Sequence, residues 1–169
     1  MNSKDKVLLN RGIDKVRQKK LEEALEIFDR LLATNQEIPD VWNNRGVALF
    51  GLGRIEQSLE SYDRCLALDA ENLDALRNKA FLLRSQKRLE EALSVYDIVL
   101  QKGGDAYDME SAAVVLTALG RLVEALSCLY LARDEMPLQR LEEEIRLVKS
   151  LMEQKGVPIP EREPGQGKE

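Results

Sequence analysis

The feature that most constrains this chain is an internal period. The blocks KKLEEALEIFDRLL from Lys19, GRIEQSLESYDRCL from Gly53, KRLEEALSVYDIVL from Lys87 and GRLVEALSCLYLAR from Gly120 align at a spacing of about 34 residues. Ala24, Ser58, Ala92 and Ala125 occupy one place in that register. The half-repeats ahead of the blocks align as well: Leu8, Trp42, Leu76 and Met109 are each followed one helical turn on by Gly12, Gly46, Ala80 and Ala113. A chain with this period folds as stacked units, each too small to bury its own apolar face.

Both halves of each unit read as helix. Trp42, Gly46, Leu49 and Gly53 fall on one helical stripe, as do Ile55, Ser58, Leu59, Tyr62 and Leu66, and neither half alternates as a strand would. The halves meet at Lys19-Lys20, Gly53-Arg54, Lys87-Arg88 and Gly120-Arg121. Glycine takes the left-handed geometry that ends a helix, and a basic residue suits the last carbonyls. The pattern predicts helical hairpins. Gly46 and Ser58 remove bulk where two helices cross, while Trp42 and Tyr62 fill the space beside them.

These residues resemble the tetratricopeptide repeat, whose pattern is W-x-x-L-G-x-x-Y, then A-x-x-x-F, then P. The second repeat reads Trp42, Arg45, Gly46, Leu49, Ser58, Tyr62 and Ala70, departing at the Leu, Ala and Pro slots. The first reads Leu8, Arg11, Gly12, Lys15, Ala24 and Phe28; the third Leu76, Lys79, Ala80, Leu83, Ala92 and Tyr96. The fourth reads Met109, Ala112, Ala113, Leu116, Ala125 and Leu129, and alone ends in Pro137. The resemblance implies an all-α fold, an alpha-alpha superhelix (solenoid) of tetratricopeptide hairpins.

A single array is expected over residues 1–155, with repeats at about 5–38, 39–72, 73–105 and 106–137. The stretch QKGGDAYD is one residue short of the period, and Gly103-Gly104 is expected to loosen that turn. Beyond Pro137, Leu138, Leu141, Ile145, Val148 and Met152 share one face of an amphipathic helix over 138–155. It either solvates the open end of the array or occupies a groove. Residues 156–169, rich in proline, are expected to be disordered.

Composition narrows the function. A formal charge of −5 argues against gripping a phosphate backbone. No stretch matches a secretory signal or a membrane span, so the expected location is cytoplasmic, with no membrane and no nucleic acid as partner. Absence of histidine removes the commonest general base and metal ligand. Glu22-Glu23 and Glu90-Glu91 complement helix dipoles beside the hairpin joints. The glycines at 51–53 and 165–167 lack the strand and helix of a phosphate loop, and Asp69 to Asp74 lacks the glycine-centred calcium loop. Cys65 and Cys128 sit in apolar helical runs, where a thiol behaves as a small hydrophobe. No enzyme activity, cofactor or metal is expected.

What remains is a surface. If the Trp42, Gly46 and Leu49 face packs on its hairpin partner, the face about 100° round carries Asn43, Val47 and Phe50. The equivalents are Leu9, Ile13 and Val16 in the first repeat, Arg77, Phe81 and Arg84 in the third, and Glu110, Val114 and Thr117 in the fourth. In tetratricopeptide proteins this face lines the concave groove that holds a partner segment. The stripe Ile13, Val47, Phe81 and Val114 is either that lining or a seam buried between neighbouring first helices. Asn43, Asn44 and Asn78 would bond a peptide backbone, and Arg77 and Arg84 an acidic side chain.

One subfamily clamps acidic chaperone tails with Lys and Asn, but Leu9 and Ile13, or Asn43 and Val47, stand where the clamp would begin, so such an adaptor is not expected. The expected function is a non-enzymatic adaptor binding a helix or extended segment of another protein. The alternative is a structural protein that forms a homo-oligomer through the groove or the helix from Leu138 to Lys155.

Overall fold

The computed structural model describes residues 2–160; Met1 and residues 161–169, which hold most of the expected disordered tail, lie outside the described residues. Among the described residues there are nine helices: α1 (Ser3–Arg17), α2 (Leu21–Thr34), α3 (Pro39–Gly51), α4 (Ile55–Leu68), α5 (Leu73–Ser85), α6 (Leu89–Gln101), α7 (Ala106–Ala118), α8 (Leu122–Glu135) and α9 (Gln139–Gln154). The fold is all-α and of the alpha-alpha superhelix class, with α1, α3, α5 and α7 as first helices of successive repeats and α2, α4, α6 and α8 as second helices.

The four hairpin joints close with the same hydrogen bonds. The N–H groups of Lys20, Arg54, Arg88 and Arg121 donate to the carbonyls of Lys15, Leu49, Leu83 and Leu116 at 2.9–3.0 Å. This reach-back requires a left-handed residue just before the donor. Gly53 and Gly120 supply it with φ of 72° and 76°, and Lys19 and Lys87 adopt it at 59°. A residue with a Cβ pays about 1–2 kcal/mol for that conformation, so two of the four turns are strained.

Joints between repeats use side chains instead. Asn35 and Asp69 are extended, and their side-chain oxygens accept from the N–H groups of Glu37 and Glu71 at 2.9 and 3.1 Å. The joint from α6 to α7 differs. Gly103 is left-handed, Gly104 N–H donates to the Val99 carbonyl at 2.9 Å, and Asp105 with Asp108 forms a capping box on α7. The turn expected to be loose is therefore bonded at both helix ends.

The chain divides into two compact units, Met1–Leu82 and Leu83–Glu169, with the boundary inside α5. In unit 1, α1 pairs with α2, α3 pairs with α4, and α2 packs on α3. A Cβ on Gly46 would lie 2.5 Å from Tyr62 Cε1, and one on Gly12 would collide with the Phe28 ring. Both rings are buried, so the close approach itself requires glycine. The Ser58 hydroxyl donates to the Gly46 carbonyl at 2.7 Å, tying the crossing together. Trp42 lies half-buried against the same core and donates its indole N–H to the Gln36 carbonyl at 2.7 Å, so it serves packing.

In unit 2, α7 pairs with α8, α6 packs on α7, and α9 packs on α8. Ala113 stands at the place of Gly46 and Leu129 at the place of Tyr62, both buried. Helix α9 buries Leu141, Ile145, Val148 and Met152. The Arg133 guanidinium and the Lys149 ammonium both lie over the Tyr130 ring, at 5.0 and 5.3 Å from its centroid. Gly156 ends α9 in a left-handed turn, with Val157 N–H donating to the Met152 carbonyl at 2.8 Å.

Candidate protein-interaction surface

The surface is built by the helices that also make the core, because each first helix buries one stripe and leaves the next outside. In unit 1, Ile13, Val16, Asn43, Asn44, Val47, Phe50, Arg77 and Asn78 are half-buried, and Phe81 is 46% exposed. Leu9 departs from its expected place: it is 5% exposed and belongs to the core cluster with Phe28 and Val41. Helix arithmetic assigns it to the outer stripe, but burial of a leucine next to that cluster wins.

Contacts across this face are specific. Phe50 and Phe81 meet edge to face, with ring centroids 5.8 Å apart and planes at 87°. Asn78 donates to the Asn43 side-chain oxygen at 3.0 Å, linking α5 to α3. Asn44 instead donates to the Asp40 carbonyl of its own helix at 2.8 Å. A cavity of about 300 Å³ lies between α1 and α3, lined by Lys6, Leu9, Asn10, Ile13, Asp40 and Asn44. Lys6, Asn10 and Asp40 were not anticipated; they sit one turn from the expected residues on the same helices.

In unit 2, Val114 is 43% exposed, while Arg84, Glu110 and Thr117 are half-buried. The Thr117 hydroxyl donates to the Ala113 carbonyl at 2.8 Å. Arg140 of α9 donates to both oxygens of Glu110, at 2.8 and 2.5 Å, and its guanidinium lies 5.0 Å from the Tyr107 ring centroid. A second cavity, of about 190 Å³, is walled by Ala113, Val114 and Thr117 of α7, Leu129 of α8, and Glu144, Leu147 and Val148 of α9. Burial raises the Glu144 carboxyl above the usual carboxylate range, and the charge of Glu110 and a hydrogen bond with it add to the shift. Helix α9 thus contributes to the surface. The signal was Leu147, an apolar residue left off the buried stripe of α9 and 60% exposed.

A second pattern explains the departures at the Leu slot. Arg45 donates to Asp29 at 2.7 Å and to the Ser61 hydroxyl at 2.7 Å, and Lys79 donates to Asp63 at 2.6 Å. Both pairs join a second helix to the next first helix in one register. In these two repeats the cation at the Leu slot is paired with an aspartate of the preceding helix.

The remaining chemistry is quiet. Among the described residues no group of three or more His, Cys, Asp or Glu could hold a metal ion. Burial pushes the Cys65 thiol up to about 11, helped by the charges of Asp69 and Asp40, and raises Cys128 as well. Glu23 pairs with Lys15 across the first hairpin, which holds its carboxyl below the usual range. Glu91 receives Arg88 at 2.7 and 2.6 Å. Among the described residues no helix is long and apolar enough to cross a membrane.

Comparison with known proteins agrees with this architecture. The tetratricopeptide repeat model matches residues 39–72. No curated protein matches the chain. Among solved structures, MamA from Desulfovibrio magneticus RS-1, residues 41 to the end, is similar over 93% of this chain and 88% of its own, with 21% identity and a TM-score of 0.80. YrrB, described as a TPR protein with an unusual peptide-binding site, is similar over 80% of this chain and 71% of its own, with 24% identity and a TM-score of 0.70. The first TPR of Spaghetti (RPAP3), bound to the HSP90 peptide SRMEEVD, is similar over 71% of this chain and 96% of its own, with 21% identity and a TM-score of 0.66. At these identities the likeness is one of fold.

Proposed function

We propose, from the premise that the chain is a tetratricopeptide-repeat protein, that it is a non-enzymatic adaptor which holds a helix or extended segment of another protein on the outer stripe of its first helices. The observation that carries this reading is Phe81. A phenylalanine edge-on to Phe50, beside the Asn43 to Asn78 hydrogen bond, leaves nearly half its surface to solvent, and Val114 does the same at the equivalent place in unit 2. Large apolar side chains left exposed at the equivalent place of each unit's first helices are what a docking face needs.

Magnitudes limit the affinity. Burial of each such side chain contributes up to about 1.5–3 kcal/mol, against about 4–15 kcal/mol for association, so the apolar stripe alone supports micromolar binding. Peptide sites on YrrB and on the Spaghetti repeat support a peptide ligand here by analogy. The acidic sequence of the latter's peptide does not transfer, because Leu9, Ile13 and Val47 stand where basic or amide side chains would be needed. Affinity capture from native extract, with the V47A/F81A variant as control, tests the reading. Loss of one discrete protein in the variant, with the helical signal kept, supports it; equal capture overturns it.

Self-association is the second reading, and a separate observation favours it. Ile98 of α6 and Leu131 of α8 are exposed at equivalent places on second helices of unit 2, where Arg30 and Arg64 stand in unit 1. Light scattering of the I98K/L131K variant tests it: a mass falling to that of one chain supports the oligomer, and a wild type already at that mass removes it.

A further inference from the structure

We propose that the cavity between α7 and α9 receives a long basic side chain, lysine or arginine, from the partner, so that the segment docked on unit 2 is basic there. The proposal rests on the reading of the first-helix stripe as a docking face and names its chemistry in unit 2.

The shape comes first. At about 190 Å³ the cavity matches the liquid volume of roughly six waters, enough for one extended side chain and too little for a secondary-structure element. Its walls are the methyl-bearing side chains of Val114, Leu147, Val148 and Leu129, which suit the aliphatic stem of a lysine. Among the described residues Glu144 is the one charged residue in the lining. A purely apolar guest would cover that half-buried carboxylate without adding a cation to the one, Arg140, that it shares with Glu110, which is costly.

The charge follows. Glu110 of α7 lies near enough to Glu144 for its charge to act on it, and the Arg140 guanidinium, which also acts on Glu144, gives two hydrogen bonds to Glu110 and lies over the ring of Tyr107. With both carboxylates ionised, Glu110 and Glu144 outnumber the single cation Arg140 by one charge. The charge of Glu110 acts against that of Glu144, and a second cation beside Arg140 relieves that repulsion. An acidic guest would meet the same excess and be rejected. A metal ion does not fit: no cluster of three or more ligating side chains exists among the described residues, and apolar walls offer no further oxygen.

The test uses the full chain with 13C-labelled methyl groups and follows Val114, Thr117, Leu147 and Val148 by NMR at neutral pH. The probes are Nα-acetyl-lysine N-methylamide, its arginine counterpart and the norleucine counterpart, which has the stem without the charge. Saturable shifts of these methyls with the lysine or arginine probe, at least about tenfold tighter than with norleucine, support the proposal. E144Q should remove the preference while keeping the norleucine response, and E144D, which retains the charge, should keep part of it.

Equal response to charged and neutral probes, no shift at these methyls, or undiminished lysine binding by E144Q overturns it. The wild-type probe comparison stands even where a variant fails to fold. Failure is also separable from failure of the docking reading. Capture that depends on Phe81 combined with no basic preference removes only the cavity assignment, and lysine-probe binding without capture removes only the adaptor.

Discussion

The two units solve the same packing problem with different side chains. In unit 1 the crossings are glycine against an aromatic ring, Gly12 on Phe28 and Gly46 on Tyr62, and the crossing at Gly46 is stitched by Ser58. In unit 2 the α7 crossing has alanine and leucine at those places, and Tyr130 of α8 is contacted by the cations of Arg133 and Lys149. At Gly12 and Gly46 the ring fills the room that the missing side chain leaves, whereas at the α7 crossing an alanine is matched with a smaller, non-aromatic leucine. The polar contacts follow the same division. Unit 1 links successive repeats by Asp29 to Arg45 and Asp63 to Lys79. Unit 2 has Ala112 at that slot and links α9 to α7 through Arg140 and Glu110.

The comparison breaks most visibly at the rings. Phe28→Ala should cost about 3–5 kcal/mol, because Gly12 has no side chain to move into the void, whereas Leu129→Ala across from Ala113 should fall in the lower part of about 2–5 kcal/mol. Urea titration measures both, and equal losses would erase the distinction between the units. Gly46→Ala comes next: overpacking against Tyr62 should destabilise by about 1–3 kcal/mol despite a helix-propensity gain of about 1 kcal/mol. A stabilised variant would show that the ring is free to shift. Smaller still are the turns. Lys19→Gly and Lys87→Gly should each raise stability by about 0.5–1 kcal/mol, and Gly53→Ala and Gly120→Ala should lower it by about as much or somewhat more.

Alkaline pH sharpens the contrast from the side of unit 1. Burial raises Cys65 from its ordinary 9 to about 11 and Tyr62 from its ordinary 10 to about 12. Both groups hold their protons more tightly folded than unfolded, so the stability this represents is complete below pH 9 and is lost as pH rises through 9–11 for Cys65 and 10–12 for Tyr62. Denaturation midpoints measured across that range should fall, and Cys65→Ala should delay the onset. A flat profile would mean that neither group is buried in solution as it is here.

Much of this was legible in the sequence, for a physical reason. A period of 34 residues constrains every copy at once, so Gly46 and Ser58 could be placed at a crossing without knowing their neighbours, and Gly53 at a left-handed turn. What was not legible depends on contacts between elements. Arg45 and Lys79 read as departures from the Leu slot until Asp29 and Asp63 are seen opposite them. Leu9 has the helical phase of a surface residue yet is drawn into the core. Asn44 spends its amide on its own helix, which no spacing rule reveals. Helix α9 showed its buried stripe plainly, but its share of the surface, Arg140, Glu144 and Leu147, became apparent only once α7 was packed beside it.

The central claim is that the outer stripe of the first helices, and not the outer face of the second helices, meets another protein. Site-specific photo-crosslinking in the native cell tests it directly, with benzoylphenylalanine placed singly at Val47, Phe81 and Val114 and, for comparison, at Ile98 and Leu131. The account predicts an adduct with one and the same foreign protein from the first three positions and none with it from the last two. Adducts between copies of this chain at Ile98 and Leu131, with nothing captured at Val47, Phe81 and Val114, would contradict it.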